Sequence, residues 1–262
     1  MISQISVQEA PSPSHGQKRL TIVTTTRNCI DIIEGYVSSF TALDTRLFDW
    51  VVIDAASTDG TREFLKSHAN LFSWFVSEPD QGTYFGLNKA ISKVKTKYYV
   101  VFGADDRPSI SLLDDLKTLL EGNAAMILGA TRLNPSGEIK LPGPRWMHTL
   151  TWGRVVSHHS VGTIIRTDLH RKYGVYDTTY RVVADGAFLK RILLSSESIY
   201  QTVTILGDYC ENGFSGRQEL LSIWETFLVQ TSAGSNILIQ LILLNLRFLK
   251  LKMCSRFRSV TP

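Results

Sequence analysis

The chemistry-bearing residues of this 262-residue chain gather at the ends of apolar runs. Lys97 to Phe102 (KYYVVF) stops at Gly103-Ala104-Asp105-Asp106. Two neighbouring carboxylates facing a cleft repel one another unless a cation lies between them. Their hard oxygens suit Mg²⁺ or Mn²⁺, ions that usually keep waters and substrate phosphates in their shell. The same Asp105-Asp106-Arg107-Pro108 stretch is also turn and helix-cap chemistry, and spacing alone does not separate the two readings. Phe48 to Asp54 (FDWVVID) ends in an acid able to accept a hydrogen bond from a nucleobase imide N–H. Asp59, in Ser57-Thr58-Asp59-Gly60, reads as a helix cap. Arg27 and Lys89 could each meet phosphate, although a lone basic residue is more often solvated surface.

The elements that position these residues alternate. Leu20 to Thr26 (LTIVTTT) is a β-branched strand, Cys29 to Phe40 a helix, and Phe48 to Asp54 a second strand. The stretch to His68 is a helix, Leu71 to Val76 a third strand, Tyr84 to Val94 a helix and Lys97 to Phe102 a fourth strand. Pro108 in a first turn opens a helix over Ile110 to Leu120. Strands alternating with helices predict a doubly wound, mostly parallel α/β sheet whose ligands sit at the carboxyl ends of its strands. Arg27, Asp54 and the Asp105–Asp106 pair should therefore line one crevice. Beyond Gly122 the rhythm loosens, with short strands at Ala125 to Leu128 and Val161 to Ile165. A helix from Asp185 to Leu194 and a strand from Ile199 to Leu206 follow.

Composition narrows the classes. Apolar residues make up 44%, enough for a sizeable core, and the net charge of +4 is too mild for nucleic acid, with basic residues clustered only at the C-terminus. Three scattered cysteines without CxxC or zinc spacing fit a reducing cytoplasm. No Gly-rich loop follows the first strand. That argues against a dinucleotide oxidoreductase and against a sugar nucleotidyltransferase, the nearest alternative enzyme.

Taken in order, these segments resemble the family 2 glycosyltransferases, which have the GT-A fold. Thr21 to Asn28 (TIVTTTRN) is similar to the family's opening strand, and Ile53 to Thr61 (IDAASTDGT) to its acidic nucleotide-binding strand end. Ser77 to Tyr84 (SEPDQGTY) with Asn88-Lys89 resembles a block of a bacterial polysaccharide, colanic-acid-type branch. Gly103 to Asp106 looks like a DxD-type motif, Ser157 to Arg166 like the acceptor-half segment, Val183 to Asp185 with Arg191 like the catalytic-base helix, and Gly213 to Ser215 like the closing motif. The resemblance implies that Thr25, Arg27 and Asp54 bind the nucleoside, with Lys89 nearby. It implies that Asp105 and Asp106 hold metal and diphosphate and that His159 lies near the diphosphate or acceptor. Asp185 would be the general base of an inverting transfer from a nucleotide-sugar, which the resemblance implies to be a UDP-sugar, to a hydroxyl; a helix N-cap is its other reading. A sugar-binding protein that keeps the fold without catalysis is the remaining alternative, and intact Asp105 and Asp185 argue against it. Trp146 and Trp152 could stack on a sugar or simply pack.

Three departures stand out. Ala55-Ala56 replaces the second acid or glycine pair after Asp54, Gly103 replaces the first acid of DxD, and Phe85 stands where relatives often carry Asp.

The expected organisation is a loose tail over 1–19, a GT-A domain over 20–215 and a helical segment over 216–262. Ile237 to Met253 is apolar but broken by Gln240, Asn245, Arg247, Lys250 and Lys252, short of an unbroken span of about 20 residues. Such a helix could lie on a membrane (residues 237–258), pack on the domain or form a homodimer contact. Membrane contact fits a cytoplasmic protein on the inner face of the plasma membrane whose acceptor is a glycan or a polyprenyl-diphosphate-linked sugar.

Overall fold

The computed structural model describes residues 18–158, 160–211 and 218–258. Most of the expected tail, His159 and Gly213 to Ser215 lie outside the described residues. The chain runs β1 (Leu20–Thr26), α1 (Ile30–Thr41), β2 (Phe48–Asp54), α2 (Thr61–Ser67), β3 (Trp74–Ser77), α3 (Thr83–Ile91) and β4 (Tyr98–Val101). Next come β5 (Arg107–Pro108), α4 (Ile110–Asp114), α5 (Leu116–Glu121), β6 (Met126–Asn134), β7 (Ile139–Lys140), β8 (Thr163–Arg166) and α6 (Leu169–Tyr173). The described residues close with α7 (Ala184–Leu194), β9 (Ile199–Cys210), α8 (Glu219–Ser232) and α9 (Ile237–Arg258).

One sheet carries the strands in the order β3-β2-β1-β4-β8-β6-β9-β5, with β7 added beside β6. β3, β2, β1 and β4 are parallel, so their carboxyl ends share one edge. β8 runs antiparallel between β4 and β6. β1 and β2 are buried on both faces, as their β-branched and apolar runs require. Their side chains alternate between two cores. Ile22, Trp50 and Val100 pack under α1 with Tyr36 and Phe40; Val23, Val51 and Tyr99 pack with Tyr84 and Phe188.

Several boundaries moved. Pro108, expected in the first turn of a helix, lies in β5 opposite Gly207, with Ser109 before α4, and β9 runs on to Cys210. Ala69–Leu71 forms a 3-10 turn, so β3 begins only at Trp74, where it meets Val51. The helix expected over Ile110 to Leu120 breaks at Asp115, whose carboxylate accepts the Thr204 hydroxyl of β9 at 2.7 Å. β6 extends to Asn134 because β9 pairs with it along its length.

His170 braces α7 from α6. Its ring stacks on Phe188 at 4.2 Å, its Nε2 accepts the Tyr99 hydroxyl at 2.6 Å, and Nδ1–H donates to the Gly174 carbonyl at 3.3 Å. Burial, reinforced by the Arg191 charge, pushes His170 down to about 4. Folding therefore keeps the neutral ring, while the unfolded chain takes up a proton below about 6.5. That contribution is complete above pH 6.5 and is lost as pH falls through 4. We expect urea unfolding to show about 2–3 kcal/mol less stability at pH 4 than at pH 7 from this group. In His170→Gln that part of the pH dependence should vanish; an unchanged slope would refute it.

Candidate active site

Thr26, Asp54 and Ser77 stand in register at the carboxyl ends of β1, β2 and β3. Asp54 is fully buried, and its oxygens accept four hydrogen bonds. Thr26 Oγ1 donates at 3.0 Å, Ser57 N at 2.9 Å, Ser57 Oγ at 2.5 Å and Ser77 Oγ at 2.6 Å. A carboxylate offers about four lone-pair directions, so these donors fill it. Asp54 thereby fastens the loop after β2.

The loop after β1 is tied to the same structure. Asn28 N donates to Ser57 Oγ at 2.8 Å, and Thr58 N donates to Asn28 Oδ1 at 2.9 Å. Asp59 caps both neighbouring helices, accepting Ile30 N at 2.9 Å and Thr61 N at 3.0 Å. Asn28 and Ala56 hold positive φ angles of 45° and 51°. For alanine that left-handed geometry costs on the order of 1–2 kcal/mol, so the surrounding bonds must enforce it. Arg27 stands exposed on this rim, and Thr25 is half-buried with its methyl facing Gly86 of α3.

The two acids after β4 differ in environment. Asp106 is buried, accepting Gly103 N at 3.0 Å and Cys210 N at 3.1 Å. Asp105 is half-buried beside it. Arg107 closes the turn, donating to the Ala104 and Asp106 carbonyls at 3.1 and 2.7 Å while its guanidinium lies over the Tyr36 ring. A Cβ on Gly103 would come 2.7 Å from Asp105 Oδ1 and 3.2 Å from Asp106 Oδ2, so the glycine lets both carboxylates crowd the strand end. Among the described residues no group of three or more His, Cys, Asp or Glu could hold a metal. The donor set, one half-open carboxylate beside a buried one, suits an ion such as Mn²⁺ or Mg²⁺ that draws its remaining oxygens from phosphate and water.

Asp185 lies buried in the first turn of α7. The Tyr84 hydroxyl, from the start of α3, reaches Asp185 Oδ1 at 3.0 Å and the Val182 carbonyl at 2.6 Å; Gly186 N donates to the same Oδ1 at 2.6 Å. Burial first, then the Asp185 charge, push the Tyr84 phenol well above its usual range, so it stays a donor. α3 also packs Gly86 against Thr25 and Ile53, which places Tyr84 between the strand ends and Asp185. Asn88 clamps the chain before α7 through paired bonds with Tyr176 at 2.8 and 2.9 Å. Glu225 of α8, buried, accepts Arg181 N, Val182 N and Val183 N at 2.8, 2.9 and 3.1 Å. Sequence reasoning missed Tyr84, Glu225 and the clamping role of Asn88, because each acts on a partner far along the chain.

Other sequence-selected residues have structural partners. Lys89 pairs with Glu78, both half-buried. Arg191 donates to the Val175 carbonyl at 2.9 Å and lies over Phe188. Trp152 is buried against Gly186, where any Cβ would overlap the indole, so it packs; Trp146 is exposed. His158, which sequence reasoning passed over for His159, stacks on Tyr209 at 3.5 Å, next to the Cys210 that Asp106 holds. A cleft of about 890 Å³ lined by Lys95, Lys97, Arg166 and Arg171 opens at the opposite, amino end of β4, away from this chemistry.

Known proteins place the chain. Two proteins described as uncharacterized glycosyltransferases, from the CDC 1551 and H37Rv strains of Mycobacterium tuberculosis, are each 25% identical over 203 residues, 75% of this chain and 76% of theirs. Among solved structures, S. aureus TarS 1-349 in complex with UDP superimposes with a TM-score of 0.63 at 16% identity, covering 85% of this chain and 68% of that one. The mannosyltransferase PcManGT from Pyrobaculum calidifontis, in complex with GDP-Man and Mn²⁺, gives 0.61 at 17%, covering 90% and 72%. Glucosyl-3-phosphoglycerate synthase from Mycobacterium tuberculosis, with Mn²⁺, UDP and phosphoglyceric acid, gives 0.59 at 16%, covering 84% and 80%. These likenesses establish the GT-A fold expected from the sequence. The family model described as glycosyl transferase family 2 matches residues 21–188, well over half of the chain, and the chain belongs to that family.

Proposed function

We propose that this glycosyltransferase moves a sugar from a nucleotide-sugar, a UDP-sugar, to a hydroxyl of a glycan or polyprenyl-diphosphate-linked acceptor, with inversion at the anomeric carbon. The observation that carries the reading is the Tyr84 hydroxyl meeting Asp185 at 3.0 Å from α3, the helix that packs Gly86 against Thr25 and Ile53. Thr25 and Arg27 contact the nucleoside, and Asp54 shapes the loops that receive the base. Asp105, supported by Asp106, would hold a divalent metal, with His159 near the diphosphate or acceptor and Lys89 at the margin. The bound metal would offset charge on the departing diphosphate.

Asp185 takes the proton of the acceptor hydroxyl. The freed oxygen forms its bond to the anomeric carbon as the bond to the nucleoside diphosphate breaks on the opposite face. Tyr84 keeps the receiving carboxylate oriented, and positioning with charge neutralisation supplies most of the rate. The nucleotide-sugar and Mn²⁺ complexes of the structural relatives support the donor and metal assignments. The resemblance to a polysaccharide branch supports a role in bacterial surface polysaccharide synthesis at the cytoplasmic face of the plasma membrane.

The test incubates the full chain with UDP-, GDP- and dTDP-sugars plus Mn²⁺, following nucleoside diphosphate release and thermal shift. One donor class should be cleaved and should stabilise the protein. Chelation should abolish cleavage, and Mn²⁺ or Mg²⁺ should restore it. Cleavage that ignores chelator would refute the metal assignment; no response to any donor would refute the donor class.

A further inference from the structure

A surface helix of a globular protein ordinarily turns its apolar stripe inward. α9 is mounted the other way round. Its contact with the rest of the chain centres on Gln240, fully buried, whose Nε2 donates to the Thr149 and Leu150 carbonyls at 3.1 and 3.2 Å. Leu244, one turn on, is also buried. The outward side carries Leu238, Ile242, Leu246, Leu249 and Met253, which remain 55–68% exposed. At about 100° per residue these five form one stripe, and Lys250 and Lys252 fall on its two flanks. Packing on the domain therefore uses the face that carries Gln240 and Leu244 and leaves the outward apolar stripe without a partner among the described residues.

We propose that this outward stripe is a docking surface for an anionic lipid bilayer. An exposed apolar row flanked by lysines lets leucines enter the acyl boundary while the ammonium groups reach the headgroups. Charge selects the occupant. No Asp or Glu follows Glu225, so every formal side-chain charge on α9 is positive. A second copy would bring like charges together with no acid to pair them, whereas an anionic surface complements them. The described helices include none long and apolar enough to cross a membrane, so the helix lies on the surface. The inference stands apart from the transfer reaction, because lipid binding requires no turnover.

Flotation of the full chain with vesicles tests it, using phosphatidylcholine alone and phosphatidylcholine mixed with phosphatidylglycerol. The protein should float with the mixed vesicles and much less with phosphatidylcholine. Added salt should weaken the binding, since surface charge is screened. The double variant Ile242→Glu/Leu249→Glu should lose at least about tenfold in the bound fraction. Both positions are exposed, so its thermal midpoint should match the parent. Failure to float with mixed vesicles, or flotation unaffected by the two glutamates, would overturn the proposal. So would a dimer, measured by light scattering without lipid, that the double variant converts to monomer.

Discussion

Replacing Asp185 with asparagine should lower turnover by about 10²–10⁴-fold and leave the fold in place. The amide is nearly the same size as the carboxylate, and its oxygen can still accept the Tyr84 hydroxyl and Gly186 N–H that now converge on Oδ1. What it loses is the ability to take a proton from an attacking hydroxyl. Each tenfold loss corresponds to about 1.4 kcal/mol of transition-state stabilisation, so the expected range is about 3–5.5 kcal/mol. The check is kcat beside nucleotide affinity and thermal midpoint for both proteins. The signature is a collapse in kcat with the other two unchanged. Unaltered turnover in Asp185→Asn would remove this residue from the chemistry. The N-cap position of α7 is Val183, so a parallel fall in thermal midpoint would reveal a structural task for Asp185 within the first turn.

The second large effect falls on stability. Asp54→Ala should destabilise the protein by about 3–5 kcal/mol in urea unfolding. The alanine strands three hydroxyls and one backbone N–H at a fully buried point, and it releases the loops that hold Ala56 in its strained geometry. Nucleotide affinity should fall with stability, because the rim proposed to receive the base comes apart. A loss below about 1 kcal/mol accompanied by a large loss of nucleotide binding would instead identify Asp54 as a direct contact to the base.

Asp59 shows how far local sequence carries. Its place before Gly60 marks a cap, and the structure has it capping α2, yet the same carboxylate also caps α1 across 29 positions of sequence. Asp105 and Asp106 are adjacent and chemically identical in sequence. Folding makes one a half-open acid and the other a buried clamp, because Cys210 N approaches only the second, from β9, 104 residues away.

What the sequence determined by itself is whatever depends on short-range periodicity. β-branched and apolar runs made β1, β2 and β4, polar residues marked their carboxyl ends, and parallel alternation put Thr25, Arg27, Asp54 and Asp105 on one edge. The same alternation predicts a doubly wound α/β sheet; the GT-A fold, which the resemblance of the ordered motifs implies, is shared with the solved relatives. Tertiary structure alone decided which groups meet. Tyr84 finds Asp185 over 101 residues, and Glu225 reaches back more than forty to hold the chain in front of that acid. It also decided which way α9 faces. The leucine pattern fits an inward or an outward mounting equally well; in the fold Gln240 and Leu244 turn inward, and Gln240 Nε2 donates to the Thr149 and Leu150 carbonyls. Donors and acceptors far apart in the chain meet only where the fold brings them together, and no spacing rule encodes that place.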